Sequence, residues 1–157
     1  MGTMETIRPT DKHQKLKALE GTWVGEEKIH PTPFDPKGGA ARGRTESRVD
    51  LDGFYLVSDY VQERDGKTCY KGHGILGYDP KTNSYTMNWF DTMGFPAGEP
   101  AKGAWEGNRL SFQKVGPMGH GRYTYELLGE GKYNFTLEHS PDGKSWSKFM
   151  EGTYTKK

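Results

Sequence analysis

Short turns that contain glycine recur along the chain and divide most of it into brief segments. They are Asp52-Gly53, Asp65-Gly66, Gly107-Asn108, Glu130-Gly131 and Asp142-Gly143. Glycine adopts the positive φ angles that tight β-hairpins require, and Asn and Asp tolerate them better than most residues. Each turn therefore predicts a pair of antiparallel strands that are neighbours in the sheet.

The segments between the turns have the apolar and aromatic character of β-strands. Residues 72–94 form the clearest hairpin, because 73–78 is apolar and aromatic, 79–83 carry turn residues and 85–91 is rich in aromatic residues. The predicted strands are 23–30, 44–51, 54–62, 67–78, 84–91, 102–106, 109–114, 120–128, 132–140 and 146–155. A meander leaves two unpaired edges unless it closes, and few connections are long enough to cross between two sheets. We therefore predict an all-β fold, a single antiparallel up-and-down β-barrel of about eight to ten strands.

One helix is predicted, near the start of the chain. Thr10 or Asp11 can serve as its N-cap, Leu16 and Leu19 lie on one face, and Gly21 ends the pattern. A helix this short is marginal alone in water, so it must dock on a larger structure. We expect it to cover one end of the barrel and to bury Trp23 there. Residues 1–9 are predicted to be a flexible segment and residues 10–157 a single domain.

Composition excludes several classes of partner. The 22 basic and 21 acidic residues are interspersed and leave a net charge of +1, so we expect no nucleic acid and no membrane as partners. Cys69 is the single cysteine, which excludes an intramolecular disulfide and suits a reducing compartment. With no long apolar run and no hydrophobic leader at the N-terminus, we expect a cytoplasmic protein. The oligomeric state stays open.

Two longer connections, 30–43 and 92–100, are rich in proline and glycine. Such loops are where binding residues and lids lie on compact scaffolds, and they can equally be solvated rim loops.

Barrel strands point alternate side chains inward, and that alternation selects candidate ligand-binding residues. Several aromatic residues share one face of their strand, among them Tyr123 and Tyr125, and Trp89 shares a face with Asp91. The candidate ligand-binding residues are Tyr60, His73, Trp89, Asp91, Tyr123, Tyr125 and His139. They either line an apolar pocket or fill the barrel as a dry core.

The ionisable candidates are open to more than one interpretation. Asp91 is an acid, a base or a ligand anchor if it is buried beside Trp89, and a solvated strand end otherwise. His73 and His139 either point inward or are satisfied residues of the core or rim.

Motifs for a metal, a cofactor or a nucleophile are missing. No two histidines lie within four residues of each other, so metal-ligand spacing is absent and only residues of distant strands are left to form a site; we predict no metal. Gly72-x-Gly74-x-x-Gly77 matches a dinucleotide fingerprint, but it lies in a strand hairpin and does not open a helix, so we predict no cofactor. No G-x-S-x-G sequence is present, and the catalytic residues, if there are any, stay unknown.

Several motifs along the chain carry a family resemblance. They are LxxLxGxWxG from Leu16, GxYLVSDY from Gly53, GHGILGYD from Gly72 and DGKxW from Asp142. In this order they resemble an uncharacterised bacterial family that is known only as a domain of unknown function. That family is similar to the calycins, small barrels that include lipocalins and fatty-acid-binding proteins. The resemblance implies a calycin-like barrel with a ligand cavity, and it implies no substrate and no catalytic residue.

Three functions are compatible with these observations. The first is a barrel that binds a small apolar or aromatic molecule. The second is an enzyme at the barrel mouth, a lyase, isomerase or hydrolase that uses Asp91, His73 or Tyr60 as acid or base. The third is a structural barrel with a filled interior.

Overall fold

Ten antiparallel strands close into one barrel in the computed structural model, which describes residues 7–33 and 35–157. The strands are β1 (Gly21–Ile29), β2 (Gly39–Asp50), β3 (Tyr55–Arg64), β4 (Lys67–Asp79), β5 (Ser84–Asp91), β6 (Ala101–Glu106), β7 (Arg109–Gly116), β8 (Gly119–Gly129), β9 (Lys132–Ser140) and β10 (Ser147–Lys156). Each strand pairs with the next one along the chain, and β1 pairs with β10 to complete the ring. The predicted up-and-down barrel is confirmed.

Tight turns connect several of these strands as the sequence predicted. Asp65 and Gly66 have φ angles of 53° and 75° between β3 and β4, and Glu130 and Gly131 have 53° and 70° between β8 and β9. Two consecutive residues at positive φ make the turn whose twist matches that of the flanking strands.

A short helical segment covers one end of the barrel. It consists of α1 (Asp11–Gln14) and a 3-10 helix (Lys15–Leu19). The Thr10 hydroxyl accepts a hydrogen bond from the Lys12 backbone N–H, and the Thr10 N–H donates to the His13 ring, which together cap the helix. Tyr85, whose hydroxyl donates to the Lys12 carbonyl at 2.7 Å, ties the segment to β5.

The helical segment seals this end by burying apolar side chains. Leu16 and Leu19 are buried with Trp23, Leu56 and Leu76 in one cluster. The Trp23 indole also donates to the Leu19 carbonyl at 3.0 Å, so a polar atom in this cluster is satisfied. The prediction that helix and barrel bury Trp23 together is confirmed, and we call this the closed end.

Two predicted boundaries need comment. Strand β2 begins at Gly39 and not at residue 44, because its first residues pair with β1 from Ile29 to Gly25. The flexible segment predicted for residues 1–9 falls mainly on residues 1–6, which lie outside the described residues.

The opposite end, which we call the open end, carries loops and no helix among the described residues. Both long connections, now 30–38 and 92–100, lie there. Four exposed apolar side chains belong to the loops and strand ends of this side, and we call them the rim: Met93, Phe95, Val115 and Met118. In the described part of the chain, no helix has the length and apolar character needed to cross a bilayer.

Candidate functional site: the barrel lumen

The inward-facing side chains form a buried core and a partly exposed set, and Tyr123, Tyr125 and Phe135 of that set pack against the core. Leu110 and Phe112, which belong to the core, are 0% exposed, and Leu56 and Leu76 are 1% exposed. Other side chains on the same inward alternation are only half-buried: Tyr60, Tyr70, Trp89, Tyr123, Tyr125, Phe135, Leu137 and Met150. Inward side chains of a solid core would lose their accessible surface. We call the part of the barrel interior that these half-buried residues line the lumen.

Trp89 lies flat against the barrel wall because β4 carries two glycines opposite it. A Cβ atom at Gly72 would lie 2.1 Å from Cζ2 of the indole, and one at Gly74 would lie 3.2 Å from Cε3. Any larger residue at Gly72 would therefore collide with the ring. The glycines of the Gly72-x-Gly74 motif serve to seat an aromatic side chain.

Asp91 forms a polar cluster beside this indole, near the open end. Its Oδ2 accepts hydrogen bonds from the Tyr70 hydroxyl at 2.6 Å and from the Trp89 Nε1–H at 3.0 Å. Its Oδ1 accepts from the Met93 backbone N–H at 2.9 Å. Burial, and next its hydrogen bond to Asp91, raise the pKa of Tyr70 far above the usual value. The carboxylate therefore holds Tyr70 as a neutral donor and fixes the indole in place.

A second polar cluster lies on β1, β3 and β10, and its centre is Glu27, which is 3% exposed. The carboxylate accepts hydrogen bonds from the Tyr60 hydroxyl at 2.6 Å, from Gln62 Nε2 at 3.1 Å and from the Tyr154 hydroxyl. Burial, and next the charge of Glu27, raise the pKa values of Tyr60 and Tyr154. Gly43 leaves room for this carboxylate, because a Cβ there would lie 2.3 Å from Oε2.

Tyr60 links the two clusters. Its ring centroid lies 6.0 Å from that of Tyr70 and 6.1 Å from that of Trp89. On the facing wall, Tyr125 contacts Phe135 with a centroid distance of 4.9 Å. The lumen is thus a set of aromatic faces between two hydrogen-bonded carboxylates.

Tyr123 and Tyr125 add hydroxyl groups that the described part of the chain leaves without a hydrogen-bond partner. Their hydroxyls make no hydrogen bond to another described residue. Burial raises the pKa of both phenols, and for Tyr123 the charge of Asp91 adds to this effect. Both hydroxyls are neutral groups that can donate or accept a hydrogen bond.

Comparison with known proteins identifies the family. Residues 8–156 match the family described as "Protein of unknown function (DUF1579)". The chain belongs to the DUF1579 family. This confirms the sequence resemblance to an uncharacterised family, and the match covers the barrel and its helical cap.

The DUF1579 protein also resembles a solved structure, "Crystal Structure of Rv2717c from M. tuberculosis". The TM-score is 0.67 and the sequence identity 13%, over 94% of this chain and 98% of that one. A likeness at this identity shows the fold alone. No curated protein matches the sequence.

The DUF1579 barrel brings most of the predicted site residues together. Tyr60, Trp89, Asp91, Tyr123 and Tyr125 all face the lumen. The prediction for His73 as an inward residue is wrong. Its side chain is 68% exposed and its Nδ1 lies 2.6 Å from Oδ1 of Asp59, because the inward positions of β4 belong to the flanking glycines. His73 therefore cannot act together with Asp91 or Tyr60.

His139 lies at the open end of β9, on the edge of the lumen. Its Nε2 donates to the Met118 carbonyl at 2.7 Å, and its ring stacks on Phe149 at a centroid distance of 5.2 Å. Both contacts hold the imidazole as part of the loop structure.

Sequence reasoning missed Glu27, the more buried of the two lumen carboxylates. The available signal was its phase, since Trp23, Gly25, Glu27 and Ile29 alternate on one face of β1. Among the described residues no group of three His, Cys, Asp or Glu side chains comes together to hold a metal ion.

Proposed function

We propose that this DUF1579 protein binds a small, mostly apolar or aromatic molecule in its lumen. The observation that supports the proposal is the difference in burial between the core cluster and the other inward-facing side chains. The closed end is packed, whereas the inward aromatic side chains of the lumen keep accessible surface. Aromatic walls give a ligand buried area, and a few fixed polar groups give it an orientation.

The rim supports the same proposal. Met93, Phe95, Val115 and Met118 are 61–73% exposed. An apolar molecule that approaches the open end meets apolar side chains before it reaches the lumen, so its desolvation can begin there. A calycin-like role as a cytoplasmic carrier or receptor of such a molecule belongs to this proposal.

Trp89 gives the proposal a direct test. A neutral hydrophobic fluorophore, N-phenyl-1-naphthylamine, is titrated into the protein, and both its emission and the tryptophan emission are recorded. We expect one saturable site, and a Trp89→Ala variant that weakens binding at least about tenfold, which corresponds to about 1.4 kcal/mol.

Trp146 provides the matched control. Its ring lies under the Arg122 guanidinium at 4.1 Å and beside His120, away from the lumen residues. Trp146→Ala should leave the affinity unchanged. Equal affinity in the folded Trp89→Ala variant would move the site elsewhere, and an experimental structure with the lumen filled solidly by side chains would remove the proposal.

A further inference from the structure

The charged groups of the lumen are unequal in sign. Glu27 and Asp91 both face inward. Three basic groups at the open end have partners of their own: Lys114 donates to the Ala97 carbonyl, His139 donates to the Met118 carbonyl, and Arg64 pairs with Asp35 at 2.7 Å. Within the described residues no Lys, Arg or His forms an ion pair with either lumen carboxylate.

The hydrogen bonds of these carboxylates do not neutralise them. The partners of Glu27 are two phenol hydroxyls and an amide, and those of Asp91 are a phenol hydroxyl, an indole and a backbone N–H. All of them are neutral groups placed as donors, which is the pattern around an ionised carboxylate. The lumen therefore holds two negative charges, those of the Glu27 and Asp91 carboxylates. Their hydrogen bonds are satisfied, but no cationic side chain of the described residues forms an ion pair with them.

The aromatic faces between the carboxylates complement a positive charge. The rings of Tyr60, Tyr70 and Trp89 approach one another with centroids 6.0 Å and 6.1 Å from that of Tyr60. The face of an aromatic ring attracts a cation, and this attraction grows where water is excluded. The Tyr60 hydroxyl donates to Glu27 and the Tyr70 hydroxyl donates to Asp91. A cation over these rings is therefore also attracted by both carboxylates.

We infer that the ligand of the lumen carries a cationic nitrogen, such as a protonated amine, attached to its apolar or aromatic body. This inference rests on the proposed function and adds a charge to the ligand. The cation lies against the lumen side of the Tyr60, Tyr70 and Trp89 rings, and the body extends toward Tyr123 and Tyr125. A carboxylate ligand such as a fatty acid is disfavoured, because it would place a third negative charge beside Glu27 and Asp91.

The test uses three naphthalenes of nearly equal shape that differ in charge. They are 1-naphthylmethylammonium, 1-naphthylmethanol and 1-naphthoate, and their affinities are measured by isothermal titration calorimetry at neutral pH. We expect the ammonium compound to bind at least about tenfold more tightly than the alcohol, and the naphthoate to bind most weakly.

Substitutions of the lumen carboxylates test whether they cause the preference for the ammonium compound. Asp91→Asn should reduce the advantage of the ammonium compound over the alcohol to about threefold or less, and Glu27→Gln should act in the same direction. Asp59→Asn is the control, because Asp59 lies on the outer face with His73. The Asp59→Asn variant should bind the three compounds in the same order and with the same affinity ratios as the wild type. If a lumen variant fails to fold, the charge series in the wild-type protein still decides the question.

The outcomes separate this inference from the proposed function. Binding of all three compounds with equal affinity, or with the naphthoate tightest, would overturn the inference that the ligand is cationic. The proposed function would then stand with a neutral or anionic ligand. A full ammonium preference in both folded lumen variants would overturn the assigned site. Absence of binding for all three compounds would overturn the proposed function and this inference together.

Discussion

Replacement of Gly72 by alanine tests whether the glycines of β4 exist to seat Trp89. The added Cβ would lie 2.1 Å from Cζ2 and 2.7 Å from Cη2 of the indole, closer than any stable contact. Either the ring or the strand must move, and inserting a methyl group into a packed position costs about 1–3 kcal/mol. Gly116→Ala is the matched control, because a Cβ at that position on β7 meets nothing within 4 Å.

Both substitutions restrict the unfolded chain to a similar extent, so the difference between them isolates the contact. We expect Gly72→Ala to be less stable than Gly116→Ala by about 1–3 kcal/mol, a factor of roughly 5 to 150 in the unfolding equilibrium. Urea unfolding, followed by circular dichroism and by tryptophan emission, measures both variants.

A double-mutant cycle shows whether Trp89 is the cause. In a Trp89→Leu background the indole is gone, and Gly72→Ala should then cost no more than Gly116→Ala. Equal stability of the two single variants would refute the argument from the 2.1 Å contact. A penalty of the same size in the Trp89→Leu background would show that some other neighbour of Gly72 is responsible.

Two further predictions follow from the closed end and from the β9–β10 turn. Trp23→Ala should lower the free energy of unfolding by about 3–5 kcal/mol, whereas Phe90→Ala, at a side chain 47% exposed, should lower it by less than about 1 kcal/mol in the same urea assay; similar losses would show that the closed end is loosely packed. The Ser145 and Lys144 backbone N–H groups and the Ser140 hydroxyl hold the pKa of Asp142 below its usual value. A lowered folded-state pKa stabilises the protein above the unfolded-state pKa of about 3.9, and this contribution is lost as the pH falls through the folded-state pKa. Asp142→Asn should therefore lower the urea midpoint at pH 6, and this effect should shrink as the pH falls through the folded-state pKa; a difference independent of pH would contradict the assignment.

The strands that were predicted most accurately are those defined by local turns. Strands β5 and β9 match their predicted bounds, since glycine, proline and asparagine mark the connections beside them. The start of β2 was missed because Gly39 to Gly43 has poor strand propensity and becomes a strand by pairing with β1. Such long-range pairing is set by the closed ring and leaves no local pattern.

The candidate site shows the same contrast between local patterns, which the sequence reveals, and contacts between distant strands, which it does not. The aromatic residues of the lumen followed from alternation, which depends only on neighbours two positions apart. Glu27 sits between Glu26 and Lys28, which makes its segment look solvent-exposed, and its burial depends on Tyr60, Gln62 and Tyr154 from other strands. His73 was misassigned because a glycine on the inward face has no side chain to reveal the phase of β4.

The pairing of β1 with β10 has a consequence for synthesis of the chain. Trp23 is paired with Lys156, so the first strand of the barrel gains its second partner only when the last strand of the barrel has been synthesised. Until residues 147–156 leave the ribosome, β1 and β9 each present an unpaired edge of backbone N–H and C=O groups. Hairpins can form early, but the barrel completes only after translation of β10, and during that interval the nascent chain is exposed to edge-to-edge association with its neighbours on the same messenger.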